Sequence, residues 1–362
     1  MSIVVTSAGG PAAENIIKNL KLIPWYMRPK IHGIDMDKYM IELSSADVKH
    51  IVPRAMNADG SSNEIYIACL QGLRQCCDAQ LLIPQSDVEV FVCSRERKRL
   101  PPMVLPNHEI IELCQDKGNL YDFLDDWHID TPPYKNPTPQ NIRELSFESP
   151  NYGVWSPSQW KYPCWVRARH GAGGNKGFIC RDWRDFRNMA EFYRDREKFD
   201  WQMVKLLEGR DYSWTSLWDK GKLVTSVLKE RLKWVYDRIG TSAVQRTVHN
   251  EVVNNYCKSI VEALTYWDSE LTGIMMIDMK EDKDDGKFYI TEINSGRLGT
   301  VNYFYGYASQ EVFHDNSRNI PYLLWLMVND RKLPELPQFN AFPKDLYWIR
   351  HIDMGMRLIR NA

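Results

Sequence analysis

The strongest constraint on the fold lies in residues 1–87, where short apolar runs ending in small or polar turns alternate with helical segments. Residues 2–6 (SIVVT) are apolar and β-branched. They run into Ser7, Ala8, Gly9, Gly10 and Pro11, and then into an amphipathic helix ending near Leu22, with proline close to its first turn. A second strand at residues 31–34 ends at Asp35 and Asp37. A helical stretch at 63–76 then leads into a third strand, residues 80–84 (QLLIP), which stops at the polar loop 85–87. This alternation predicts a doubly wound parallel sheet. Its ligand crevice is expected at the carboxyl ends of the strands, where residues 7–10, Asp35 and the loop 85–87 sit.

The pattern changes further along. Residues 116–129 (DKGNLYDFLDDWHI) read as a helix closed by Thr-Pro-Pro, followed by a polar stretch rich in Pro, Asn and Ser to about residue 158 that reads as linker or surface loop. From residue 162 come a strand (YPCWVRA), a glycine turn (HGAGGNKG), a strand (FIC) and a helix over 182–198; two strands around a glycine loop predict a hairpin. Further strands are expected at 202–206, 212–217, 223–228, 272–280 and 287–293, with a helix at 249–267 and one closing strand at 347–359. The second half therefore reads as α+β with mostly antiparallel pairing. The expected divisions are a Rossmann-like domain at 1–110, a linking helix and small subdomain with the glycine loop at 111–200, and a C-terminal subdomain with a metal site at 201–362.

Composition excludes several classes of function. With 46 basic and 47 acidic residues, the net charge of -1 gives no general attraction to a nucleic-acid backbone or an anionic membrane. No apolar run approaches the ~20 residues of a membrane span, and no leader precedes the first strand, so a cytoplasmic protein with reduced thiols is expected. The eight cysteines show no paired CxxC spacing. The 13 Trp and 18 Tyr lack the interleaved basic stripes of a base-stacking platform, which leaves them to packing.

Chemistry concentrates in three places. Asp278 in GIMMIDMK and Glu292 with Asn294 in YITEINSGR flank the turn Asp284, Asp285, Gly286. In an antiparallel hairpin Asp278 and Glu292 face each other, and Asn294 projects from the same face as Glu292. Such hard oxygen ligands suit Mg²⁺, which takes one or two carboxylates together with substrate phosphates; charges solvating a strand edge would use the same residues. The glycine loop, with Gly171, Gly173 and Gly174 behind Arg167 and Arg169, lets backbone amides and forked guanidinium donors approach phosphate. It lacks the Gly-Lys-Ser/Thr of a Walker loop, and a flexible surface hairpin would use the same glycines. Third, QMVKLLEGRDY places an apolar strand before Asp211. Backbone at Lys205, Leu206 and Leu207 could read a purine edge and Asp211 a ribose, although an ordinary strand and turn has this composition too.

In this order and spacing the residues resemble the ATP-grasp superfamily over nearly the whole chain, most of all the branch that looks like half of a carbamoyl-phosphate synthase large subunit, including stand-alone carboxylate-amine ligases. VTSAGGPAAENIIKNL looks like that family's preATP-grasp domain, DKGNLYDFLDDWHIDTPPY like its linking helix, and YPCWVRARHGAGGNKGF like its clamp. The resemblance implies ATP bound through Arg167 and the glycine loop, a hinge at residues 205–207, and ribose held by Asp211. It implies two Mg²⁺ ions, or Mn²⁺ in their place, on Asp278, Glu292 and Asn294. Lys229, Arg231 and Arg246 resemble a basic segment facing the transferring phosphate. Met276 stands where some relatives carry an arginine, so Arg297 is expected to do that arginine's work.

The implied activity is an ADP-forming ligase acting on a small-molecule carboxylate and an amine, with a homodimer as the default assembly. Ser7, Gly9 and Gly10 are expected to offer donors to an anionic substrate group at a helix start. Acyl-phosphate release without ligation, of the carbamoyl-phosphate or kinase type, remains open. A nicotinamide-dependent oxidoreductase fits less well, because AGGPAAEN lacks the third glycine of GxGxxG and leaves Asp278, Glu292 and Asn294 without a role.

Overall fold

The computed structural model describes residues 1–137, 160–171, 177–194, 200–236, 239–351 and 355–360. Gly173, Gly174 and most of the polar stretch expected before residue 158 lie outside them.

Strands β1 (Ser2–Val5), β2 (Lys30–Asp35), β3 (Val48–Ile51) and β4 (Ala79–Ile83) form a parallel sheet in the order β3-β2-β1-β4. Their fully buried residues, among them Ile3, Val4, Val5, Ile31, Ile34 and Leu81, explain why this region reads as short continuous apolar runs. Helices α1 (Pro11–Lys21) and α2 (Glu64–Cys76) provide the crossovers from β1 to β2 and from β3 to β4, and α3 (Asp87–Arg95) follows β4. Pro11 occupies the first turn of α1, and Ser86 caps α3 by accepting from the Glu89 amide.

Two further helices, α4 (His108–Gln115) and α5 (Lys117–Asp126), lead to a small antiparallel sheet of β5 (Tyr134–Lys135), β6 (Cys164–Ala168), β7 (Gly177–Cys180) and β8 (Trp201–Lys205), in the order β5-β8-β6-β7. The amphipathic helix α6 (Trp183–Arg194) follows β7 and buries Phe186 and Ala190 in a core shared with Cys164 and Val166. β6 and β7 form the hairpin expected around the glycine loop.

The third sheet has seven strands in the order β13-β12-β9-β10-β11-β14-β15: β9 (Asp211–Asp219), β10 (Lys222–Tyr236), β11 (Ile239–Thr247), β12 (Gly273–Glu281), β13 (Phe288–Ser295), β14 (Leu346–His351) and β15 (Gly355–Arg360). All its pairings are antiparallel. The C-terminal segment expected as one strand is the β14-β15 hairpin, because each of its halves pairs along its length. Helices α7 (Glu251–Leu264), α8 (Tyr303–Phe313) and α9 (Ile320–Val328) cover this sheet.

Helix α1 of the parallel sheet is stitched to the far end of the chain by buried amides. Asn19 Nδ2 donates to the Asn302 carbonyl at 2.9 Å, Asn19 Oδ1 accepts from the Gly306 amide at 2.9 Å, and Asn319 Nδ2 donates to the Asn19 carbonyl at 2.8 Å. Ile16 and Leu20 of α1 share one hydrophobic cluster with Phe304, Leu323, Leu217 and Ile274. Among the described residues no helix is long and apolar enough to cross a membrane, and all eight cysteines are free thiols.

Candidate active site

A cavity of about 720 Å³ opens where the small sheet, the seven-stranded sheet and the loop after β13 meet. Its carboxylates come from neighbouring strands. Asp278 on β12 pairs in register with Glu292 on β13, and Asp278 pairs with Ser213 on β9, which brings Asp211 to the same end of the sheet. All three acids line the cavity.

Each acid faces a cation. The part-buried Arg231 of β10 spans two of them, with Nη1 2.9 Å from Asp211 Oδ1 and Nη2 2.5 Å from Asp278 Oδ1. Burial pushes the Asp278 carboxyl up to about 6; Glu292 and Asp211 add to the shift, and Arg231 opposes it. Burial also pushes Glu292 up, but Lys117, Arg297 and Arg167 together hold its carboxyl below the ordinary value. Two neighbouring carboxylates are thereby driven apart in proton affinity. Asn294 Nδ2 lies 3.4 Å from Glu292 Oε1, and Asn294 Oδ1 accepts from Arg297, whose Nε donates to Asp87 on α3.

Arg167 reaches the cavity from β6 in a fixed pose. Its Nε and Nη2 donate to Gln202 Oε1 at 2.9 and 2.8 Å, and Nη1 donates to the Thr291 carbonyl at 2.7 Å. Gln202 is fully buried and passes its own amide to the Lys117 carbonyl at 2.9 Å, so one side chain aligns both cationic elements.

Lys117 is a site residue that sequence reasoning passed over. Its Nζ lies 3.7 Å from Glu292 Oε2 and donates to the Gly171 carbonyl at 2.7 Å. Burial lowers its ammonium's proton affinity, while Glu292 works in the other direction. The missed signal was its place directly after the Asp116 cap, in the first turn of α5. A cation there opposes the helix dipole and needs another partner.

Other expected residues are placed differently. Arg169 makes a forked pair with Asp116 at 2.8 and 2.7 Å and also reaches Asn119. It fits because Gly118 has no Cβ, which would lie 2.3 Å from the guanidinium. Arg246 pairs with Glu230 at 2.7 Å and is absent from the cavity lining, to which its neighbour Gln245 belongs. Strand alternation sends these two side chains to opposite faces. Lys205 pairs with Asp282 and, at 2.7 Å, with Asp284; among the described residues, neither it nor Leu206 or Leu207 lines the cavity. Ser7, Gly9 and Gly10 lie away from it as well. Ser7 Oγ donates to Glu89 at 2.5 Å, the Gly9 amide to Asp35 at 2.9 Å, and the Gly10 amide to the Ser7 carbonyl at 2.8 Å.

Among the described residues no three His, Cys, Asp or Glu side chains converge as a metal cluster. The oxygen set of two carboxylates and one amide nevertheless fits Mg²⁺, which completes its shell with water and phosphate. Like-charged acids in register, one with its proton affinity raised by burial, are a natural place for a divalent cation.

The ATP-grasp domain family model matches residues 114–301, the span that contains α5, the small sheet and the strands bearing the acids. No curated protein matches the chain in sequence. Among solved structures, N5-carboxyaminoimidazole synthetase from Staphylococcus aureus complexed with ADP superposes with a TM-score of 0.68 at 13% identity, covering 97% of this chain and 82% of that one. Biotin carboxylase from Campylobacter jejuni gives 0.66 at 15% identity, over 96% of this chain and 74% of that chain. L-amino acid ligase from Bacillus licheniformis gives 0.63 at 13%, over 96% and 78%. At these identities the likeness is one of fold. With the family model spanning more than half of its length, the chain belongs to the ATP-grasp family.

Proposed function

We propose that this chain is an ADP-forming ligase that uses ATP to activate a carboxylate as an acyl phosphate and then couples it to an amine. One observation carries the reading. Asp278 and Glu292 stand in register, with Asp211 beside them, on a cavity that Lys117, Arg167, Lys229, Arg231 and Arg297 line with basic groups.

A carboxylate is a poor electrophile, and phosphoryl transfer from ATP supplies the missing leaving group. Catalysis of that transfer is chiefly positioning and electrostatics. Arg167, held by Gln202 and Thr291, and Lys117, held at the Gly171 carbonyl, would meet the phosphates from the small-sheet side. Arg297, held between Asp87 and Asn294, would meet the acid substrate from the other side. Asp278, Glu292 and Asn294 would hold Mg²⁺, which when bound neutralises phosphate charge. Asp211 is offered to ribose, with Arg231 sharing it with Asp278. Gly171 would contribute backbone to the phosphate clamp, and residues 205–207 the adenine hinge.

Names of the structural neighbours support a ligase over an oxidoreductase: an amino acid ligase, a carboxyaminoimidazole synthetase and a carboxylase. The testing experiment measures ADP release from ATP and Mg²⁺ with pooled amino acids and other carboxylates. Release that depends on one acid supports the ligase; failure of the protein to bind ATP overturns it.

A further inference from the structure

The coupling step leaves a proton to be placed. An amine that attacks an acyl phosphate must shed a proton from nitrogen, and the carboxylates of the cavity are committed to cations. Arg231 spans Asp211 and Asp278, and Lys117 lies beside Glu292. One basic group in the same cavity is not committed in this way. Lys229 on β10 is buried, lines the cavity, and among the described residues pairs with no carboxylate; its Nζ donates to Tyr305 Oη at 3.1 Å.

A lysine in such a setting is costly to keep charged. Arg231 lies two residues along the same strand, Asp278 acts across the sheet from β12, and Tyr305 covers Nζ from α8. Burial, with Arg231 adding and Asp278 opposing, pushes the ammonium down to about 7. The Tyr305 hydroxyl suits both protonation states, since it accepts from an ammonium and donates to a neutral amine.

We propose that Lys229 is the general base of the coupling step, a role that rests on the ligase reading above. The acceptor nitrogen forms its bond to the carbonyl carbon, the bond from that carbon to the phosphate oxygen breaks, and the electron pair leaves with phosphate. The proton lost by nitrogen goes to Lys229 Nζ, which passes it to the departing phosphate. This role differs from binding the transferring phosphate, which needs only positive charge and acts before coupling.

Hydroxylamine separates the two roles, because it is unprotonated at neutral pH and intercepts acyl phosphates as hydroxamates with little need of a base. The wild type, Lys229→Met and Lys229→Arg would be supplied with ATP, Mg²⁺ and a pool of the common L-amino acids, with and without hydroxylamine. Hydroxamate, amide product and MgATP affinity would be measured for each. We expect both variants to bind MgATP and to form hydroxamate within about threefold of wild type. Amide formation should fall by about 10²-fold or more, the usual scale for losing a general base. Amide formation retained by Lys229→Arg would overturn the base, since a guanidinium keeps the charge but does not accept the proton. Parallel loss of hydroxamate and amide in Lys229→Met, with MgATP still bound, would overturn it in favour of a phosphate contact. No hydroxamate from the wild type with any acid would instead remove the ligase reading, and the base with it.

Discussion

Two loops in this molecule carry the marks of a ligand site, and they spend their polar atoms in opposite ways. At the end of β1, the turn at residues 7–10 is closed on itself. Glu89 collects the hydroxyls of Thr6, Ser7, Tyr66 and Ser86 at 2.6, 2.5, 3.0 and 3.0 Å, and Asp35 takes the Gly9 amide. At the β12-β13 hairpin, acids and cations instead face a shared cavity and pair across its walls. A glycine turn before a helix supplies donors in either case. Whether a ligand receives them depends on which internal acceptor reaches them first, and Glu89 lies some eighty residues away in sequence.

The comparison would break soonest at its two glutamates. Glu292→Gln should lower acid-dependent ADP release by on the order of 10³-fold, about 4 kcal/mol of transition-state stabilisation, while the melting temperature barely moves. Glu89→Gln should do the reverse. Loss of charge beneath four hydroxyl donors should cost about 3 kcal/mol in denaturant unfolding and leave ATP affinity within twofold. Should Glu89→Gln spare stability and abolish turnover, the β1 turn would be a ligand site after all.

Gly9→Ala sharpens the same contrast. An added Cβ would lie 2.6 Å from the Met40 backbone, so the turn must shift, at about 1–3 kcal/mol of stability measured by urea unfolding. Turnover should survive in the fraction that folds. A smaller effect is expected at the His32-His50 pair on β2 and β3, where the ring nitrogens lie 2.9 Å apart. Burial lowers both imidazoles below 6.5, and their mutual repulsion lowers His32 further. The unfolded chain therefore takes protons more readily, so stability is full above that pH and is lost as pH falls below it. His32→Asn should flatten the decline in melting temperature between pH 7 and 5 by an amount worth about 1 kcal/mol or less.

What could be read in advance follows from the range of the interactions involved. β1, β2, β4 and the register of Asp278 with Glu292 depend on local apolar runs and on the turn at Asp284, Asp285 and Gly286, all visible in sequence. Arg246 looked like a companion of Arg231, but which face it takes depends on the pairing of β10 with β11, whose register shifts between Arg231 and Trp234. Lys117 was hidden because its partners Gly171 and Glu292 come from distant segments. The β14-β15 hairpin was missed although Asp353 and Gly355 interrupt the run of strand-forming residues with a turn composition.

The amide stitching of α1 to α8 and α9 has a practical consequence for anyone who would cut or graft this gene. A fragment encoding only residues 114–301 would keep every acid of the cavity, yet it would start after Leu20 and stop before Phe304 and Leu323. The apolar face formed by Leu217, Val227 and Ile274 would then meet water, and the product should collect in inclusion bodies. The two ends of the chain travel together, and a chimera that borrows the cavity-bearing middle must borrow both.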